Sequence, residues 1–282
     1  MEETMTEKKT IVITGASDGI GAAAAHALAE GGHEIVVVGR SADKTRRVAD
    51  SIEAQSFVAD FGSLAEVREL ASKLAERYPK IDVLANNAGG VFGSRQKTVD
   101  GFEKTFQVNH LAPFLLTNLL LPTLIRSKAI VIQTASIAAR LYGKLAIADL
   151  DNDRNFSANK AYGDSKLENI LFTAELDRRY SADGISAAAF HPGIIGSSFA
   201  TETTSRTMKM LYASPLTKLF LRSSEEGADQ LVWLASTQPG TEWTRGKYYE
   251  KRAVAKRVNP QIHDADLARK LWEKSAALCG LS

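Results

Sequence analysis

The sequence predicts an α/β protein, a doubly wound and largely parallel sheet covered by helices on both faces. Three observations carry this. Short β-branched runs alternate with longer helical patterns from Thr10 onward. A glycine-rich turn follows the first run immediately, and no long Pro-, Gly- or Ser-rich linker interrupts the alternation. Strands interleaved with helices at this spacing make βαβ units, whose crossovers bury both faces of a parallel sheet.

The strand candidates, in order, are Ile11 to Ile13, Glu34 to Val38, Ser56 to Ala59, Ile81 to Ala85, Ala129 to Gln133, Ile185 to Phe190 and Lys247 to Tyr249. They amount to about seven strands, enough for one doubly wound sheet. Residues 1–9 read as a polar tail and 10–282 as one domain. Two stretches break the rhythm, Ile137 to Asn159 and Ile194 to Ser223. Loops that long inside a compact domain usually serve function, and both would leave the carboxyl ends of strands, where open α/β sheets bind ligands.

Composition sets limits on function. Lys and Arg number 35 against 33 Asp and Glu, a net charge of +2, which argues against a nucleic-acid or membrane-surface footprint. The single cysteine, Cys279, allows no intrachain disulfide and suits a reducing compartment. No leader-like apolar region opens the chain, and no run approaches the ~18 uninterrupted apolar residues of a membrane span. The chain therefore reads as soluble and cytoplasmic.

The turn Thr14-Gly15-Ala16-Ser17-Asp18-Gly19-Ile20-Gly21 lies between the first strand and an Ala-rich helix. Gly15, Gly19 and Gly21 let the backbone approach a pyrophosphate, while Ser17, Asp18 and Ile20 sit at a helix N-terminus whose free amides and dipole favour an anion. The spacing, G-x3-G-x-G, departs from the widespread dinucleotide fingerprint. The second strand ends at Val38-Gly39-Arg40-Ser41, where an acid would grip the ribose hydroxyls of NAD. Arg40 stands there instead, suited to a fork-shaped contact with the 2′-phosphate of NADP and supported by Ser41 and Lys44. NADP(H) is thus expected over NAD(H), with Asp18 as an opposing charge.

Ser136, Tyr162 and Lys166 complete the chemistry-bearing set. Tyr162 and Lys166 are four apart, so a helix sets both on one face, where the ammonium favours the phenolate and lowers a pKa that starts near ~10. Such a tyrosine can hand a proton to a carbonyl oxygen near neutral pH. No second His or carboxylate recurs at ligand spacing, so no catalytic metal is expected. His110 and His191 are expected to be structural, and Asp149, Asp151 and Asp153 to form a solvated loop face.

Taken together, these motifs resemble the short-chain dehydrogenase/reductase family from about Thr10 to the C-terminus. The resemblance rests on the glycine turn, Asp60, Asn86-Asn87-Ala88-Gly89, Asn109, Ser136, Tyr162 with Lys166, and Pro192-Gly193. Phe106 to Leu111, the helix after Tyr162, Gly246 to Tyr249 and Leu267 to Trp272 look most like the retinol-dehydrogenase branch and bacterial carbonyl or polyketide ketoreductases. The resemblance implies a Rossmann-type catalytic domain, with Tyr162 as general acid or base, Ser136 as a donor to the substrate oxygen, Lys166 holding the nicotinamide ribose, and Asn109 positioning a water. It also implies cofactor contacts from Asp60 at the adenine, from Asn87, Ala88 and Gly89 behind the adenosine ribose, and from Ile195 and Ser197 at the carboxamide, with Phe61, Pro192 and Gly193 as further cofactor-binding residues. Ser197 replaces the usual threonine, and Ala135 replaces a frequent serine.

Phe199, Met208, Met210, Leu211, Tyr212, Leu216, Leu219, Phe220 and Leu221 suggest an apolar lid over 194–223, opposed by Leu141, Tyr142 and Leu145. An apolar ketone, aldehyde or corresponding alcohol is the expected substrate. A non-catalytic NADPH sensor and a sugar-nucleotide epimerase or dehydratase are the alternatives. Apolar positions near Asn109 and Tyr162 leave a homodimer or homotetramer open.

Overall fold

A computed structural model describes residues 7–154, 156–193 and 223–281. Its centre is an eight-stranded sheet in the order β3-β2-β1-β4-β5-β6-β7-β8. The strands are β1 Thr10–Thr14, β2 Glu34–Gly39, β3 Gln55–Val58, β4 Val83–Asn86, β5 Ile130–Thr134, β6 Ser186–His191, β7 Lys247–Glu250 and β8 Ala253–Val254. Neighbours from β3 through β7 pair in parallel, and β8 runs antiparallel to β7.

The expected count of about seven strands is therefore one short. Strand β8 was illegible because its tight turn uses Lys251 and Arg252, both at positive φ, where glycine or asparagine normally marks a hairpin. Strand β4 also starts two residues later than the apolar run, since the Ile81 amide is taken by Ser127 Oγ at 3.0 Å.

Side-chain alternation divides the core into two. Val12, Val36, Leu84, Val131 and Ala187 face one layer, while Ile11, Val37, Ala85, Ile132 and Phe190 face the other. The first layer is completed by α3 (Leu64–Arg77), α4 (Ala112–Arg126), α5 (Ala158–Tyr180) and α7 (Ala265–Leu278). The second is covered by α1 (Gly19–Glu30), α2 (Ala42–Ser51) and α6 (Ser224–Ser236). Burial on both faces is why these strands read as continuous apolar runs.

Helices start where the sequence offers caps. Asp18 accepts from the Gly19 amide at α1, Ser63 from Glu66 at α3 and Ser157 from Lys160 at α5. Ser223 and Glu226 form a reciprocal capping box at α6. Before α4 the chain makes a short turn, Lys104–Phe106, and then a π-helical turn, Gln107–Leu111. The continuous helical stretch Lys104–Arg126 is long and apolar enough to cross a membrane by composition, but it is a core helix with 72% of its most apolar window buried.

Part of the apolar surface of α4 and α5 is covered within the chain by α7. Trp272 of α7 lies against Phe114 of α4 at 5.0 Å between ring centroids and against Phe172 of α5 at 5.5 Å. His110 sits in the same aromatic cluster, fully buried, with Nε2 2.8 Å from Ser275 Oγ. Burial holds its pKa down at about 3, so it is a neutral structural residue, as its sequence context suggested.

Candidate active site

The chemistry-bearing residues gather at the carboxyl ends of β1, β4, β5 and β6, around a cleft of about 470 Å³. The strand order reverses between β1 and β4, the place where a doubly wound sheet opens a crevice. Gly15 has φ +65°, and a Cβ there would lie 2.7 Å from the Ala88 backbone. Only glycine lets the β1 turn and the β4 turn approach this closely.

Asn87 ties the two turns together. Its Nδ2 donates to the carbonyls of Thr14 and Gly15 at 3.1 and 3.3 Å, and its Oδ1 accepts from Thr134 Oγ1 at 3.1 Å. Three strands are thereby linked through one carboxamide. The charge of Asp18 is compensated at the cleft: one oxygen accepts from Gly19 at 2.7 Å and the other pairs with Lys44 at 3.2 Å. Lys44 is thus engaged by Asp18, and both Lys44 and Arg40, exposed just beyond the end of β2, line the cleft.

At the other end, Ser136, Tyr162 and Lys166 line the same cleft. Lys166 is 3% exposed, donates to the Thr134 carbonyl at 2.9 Å and stands 5.6 Å from the centroid of the Tyr162 ring. Burial lowers its pKa to about 8, which still leaves an ammonium at neutral pH. Ser136 Oγ accepts from the Ala138 amide at 3.2 Å, so its own proton is directed elsewhere. Helix α5 is drawn against the loop after Ser136 because Gly163 has no side chain; a Cβ there would lie 2.7 Å from Gly143 N.

Asn109 occupies the middle of the π-helical turn and is fully buried. Its Oδ1 accepts from the Gly90 amide at 2.8 Å, and its Nδ2 donates to the Gly90 carbonyl and to Ser165 Oγ, each at 3.0 Å. A π-turn often marks a functional place in a helix, and here it directs a polar side chain inward. Asn109 lies behind the cleft wall rather than on it, since Val108 and Gly90 provide the lining.

The short chain dehydrogenase family model matches residues 9–208. The chain belongs to the short-chain dehydrogenase family. Its relatives include a Streptomyces sp. (strain C5) protein described as a candidate daunorubicin C-13 ketoreductase, DnrU, 43% identical over 96% of this chain and 93% of the relative. Human retinol dehydrogenase 13 is 35% identical over 97% of this chain and 85% of its own. Among solved structures, an uncharacterized protein from Mycobacterium paratuberculosis superposes with a TM-score of 0.76 at 31% identity, covering 96% and 93% of the two chains. The Pseudomonas aeruginosa RhlG/NADP active-site complex gives 0.68 at 26% identity, covering 88% and 96%.

In this short-chain dehydrogenase, most expected site residues share one wall system. Gly15, Ser17, Asp18, Gly19, Ile20, Gly21, Arg40, Ser41, Asp60, Phe61, Asn87, Ala88, Gly89, Pro192 and Gly193 all line the cleft. Ile195, Ser197 and the expected lid over 194–223 lie outside the described residues, apart from Ser223, which caps α6. Leu141 and Tyr142 form part of the opposite wall, as expected, but Leu145 does not. It is buried in the core, with both main-chain groups held by the Gln261 carboxamide at 2.9 Å.

The acidic stretch is also more engaged than a solvated face. Asp151 pairs with Lys97 and accepts from the Glu103 amide at 2.5 Å, and Asp153 pairs with Arg95. Val91, Phe92, Val108 and Asn159 line the cleft without having been singled out from sequence. Asn159 was findable, because it precedes Tyr162 by three residues on one helix face. Phe92 was not, since its place depends on Lys104, whose ammonium lies 4.7 Å from its ring centroid.

Proposed function

We propose that this oxidoreductase is an NADP(H)-dependent carbonyl reductase, acting on apolar ketones or aldehydes and able to oxidise the corresponding alcohols. The observation that carries the reading is the convergence of Ser136, Tyr162 and Lys166 on the cleft whose far end is the glycine turn. The cradle fits a dinucleotide: no Cβ fits at Gly15 or Gly21, so the turn packs tightly against Ala88 and Asn87 and brings the α1 N-terminus, which favours a pyrophosphate, to the cleft. When bound, NADPH supplies a hydride to the carbonyl carbon.

The chain's own residues do the rest. Tyr162 donates its phenolic proton to the carbonyl oxygen as negative charge develops, and Ser136 donates a hydrogen bond to the same oxygen. The Lys166 ammonium favours the phenolate left behind and holds the ribose hydroxyls. Arg40 supports the 2′-phosphate preference, and RhlG, a structural relative, is seen with NADP. Phe92, Leu141, Tyr142 and Val108 supply the apolar wall that supports the substrate class. The names of the relatives, a daunorubicin C-13 ketoreductase and a retinol dehydrogenase, agree with chemistry between a carbonyl and an alcohol.

The test is NADPH oxidation against a panel of lipid-like, aromatic and polyketide carbonyls beside compact polar ones. Turnover across the apolar members supports the reading. Turnover with one compact polar compound alone contradicts the substrate class, and tight NADPH binding with no turnover favours the sensor alternative.

A further inference from the structure

We infer that Ser165 is a positioning residue for Tyr162, the last member of a buried latch that fixes the proton donor against the cofactor turn; the inference rests on the carbonyl-reductase reading. Ser165 is 1% exposed and does not line the cleft, so it has no route to substrate. Its hydroxyl donates to the Tyr162 carbonyl at 2.9 Å and accepts from Asn109 Nδ2 at 3.0 Å. Asn109 in turn holds Gly90 by both main-chain groups, at 2.8 and 3.0 Å. A continuous polar path therefore runs from Gly90 through Asn109 and Ser165 to the main chain of Tyr162.

A helical serine that bonds back to the third or fourth preceding carbonyl is common, and by itself it only bends the helix slightly. Two features distinguish this one. The serine oxygen also receives a donor from another element, so its hydroxyl orientation is fixed from outside its own helix. In addition, the Tyr162 carbonyl is the one that α-helix geometry points toward the amide of Lys166, four residues on. The latch thus acts on the peptide units that set the spacing between the phenol and the ammonium. A Cβ added at Gly89, the neighbour of the latched Gly90, would lie 3.3 Å from Lys166 Nζ, so the same path ends beside the ammonium.

The π-helical turn explains how the latch is built. An extra residue in the turn redirects Asn109 from the helix surface into the gap between Gly90 and α5. Both Nδ2 protons and Oδ1 are then committed to protein partners, and the carboxamide is held as rigidly as a peptide between two strands. Removing the serine oxygen leaves one Asn109 donor without a partner in a fully buried site and frees the Tyr162 turn.

The experiment compares Ser165→Ala and Ser165→Cys with the wild type, using the best substrate from the carbonyl panel and Tyr162→Phe as the reference for lost acid catalysis. Small displacements of reacting groups cost up to ~100-fold, so Ser165→Ala should lower kcat by about 10- to 100-fold with KM for NADPH within about twofold. Ser165→Cys keeps the volume and a weak donor and should fall between. The alkaline limb of the kcat–pH profile should move in Ser165→Ala, and Asn109→Ala combined with Ser165→Ala should be no slower than the worse single variant, as one latch requires. Wild-type kcat and an unmoved pH profile in both serine variants, or additive losses in the double variant, would overturn the inference alone. A wild-type protein without any Tyr162-dependent turnover would overturn the reductase reading and this inference with it.

Discussion

Replacing Lys166 with Met removes a buried charge, and the consequence for stability can be worked from its environment. Lys166 is 3% exposed, and burial brings its pKa from 10.5 in an unfolded chain to about 8 in the fold. The difference, 10.5 − 8 = 2.5 units, corresponds to ~3 kcal/mol by which the charged form is disfavoured in the folded protein. The sign follows from proton counts. Between pH 8 and 10.5 the unfolded state holds more protons than the folded one, so stability rises with pH through that window. Below pH 8 both states are protonated and the full penalty is present. Without cofactor, the wild type should therefore gain ~2 kcal/mol relative to Lys166→Met between pH 7 and pH 9.5. Met fills a similar volume, so packing should change little between the pH values. Urea unfolding of both proteins at the two pH values measures the difference directly. A gap that does not change with pH would refute the reasoning, because it would mean that the Thr134 carbonyl and nearby dipoles fully offset the burial of the ammonium.

Two further predictions concern the ends of the molecule. Arg40→Ala should weaken NADPH by ~10- to 100-fold, the loss expected for a charge-assisted hydrogen bond, and leave NADH nearly unchanged; equal losses measured by fluorescence titration would refute the 2′-phosphate assignment. Trp272→Ala should destabilise the protein by ~3–5 kcal/mol, because the ring fills the space between Phe114 and Phe172. Denaturant unfolding would show it, and a loss below ~1 kcal/mol would mean that the C-terminal helix is not part of the core.

The sheet was legible because strands buried on both faces read as β-branched runs, and the glycine turn was legible because only glycine serves at Gly15. The trio Ser136, Tyr162 and Lys166 could be read from spacing and resemblance. What the sequence hid depends on contacts between distant segments. Asn87 reads as part of a motif, yet its role as a staple across β1, β4 and β5 needs Thr14 and Thr134 in place. Lys44 was expected near a phosphate and is held by Asp18, a pairing across the first βαβ unit with no sequence signature. Leu145 looked like a pocket wall because it is apolar and near Tyr142; Gln261, far along the chain, draws it into the core. Strand β8 escaped notice because Lys251 and Arg252 adopt a backbone that their side chains do not advertise.

The central claim is that Tyr162 delivers the proton while the same cleft holds NADPH. The most direct measurement is kcat for carbonyl reduction in Tyr162→Phe, with NADPH affinity measured in parallel. The account predicts a loss of ~10²- to 10⁴-fold in kcat, the range for removing a general acid, with NADPH affinity nearly unchanged. Turnover at the wild-type rate in Tyr162→Phe would contradict it.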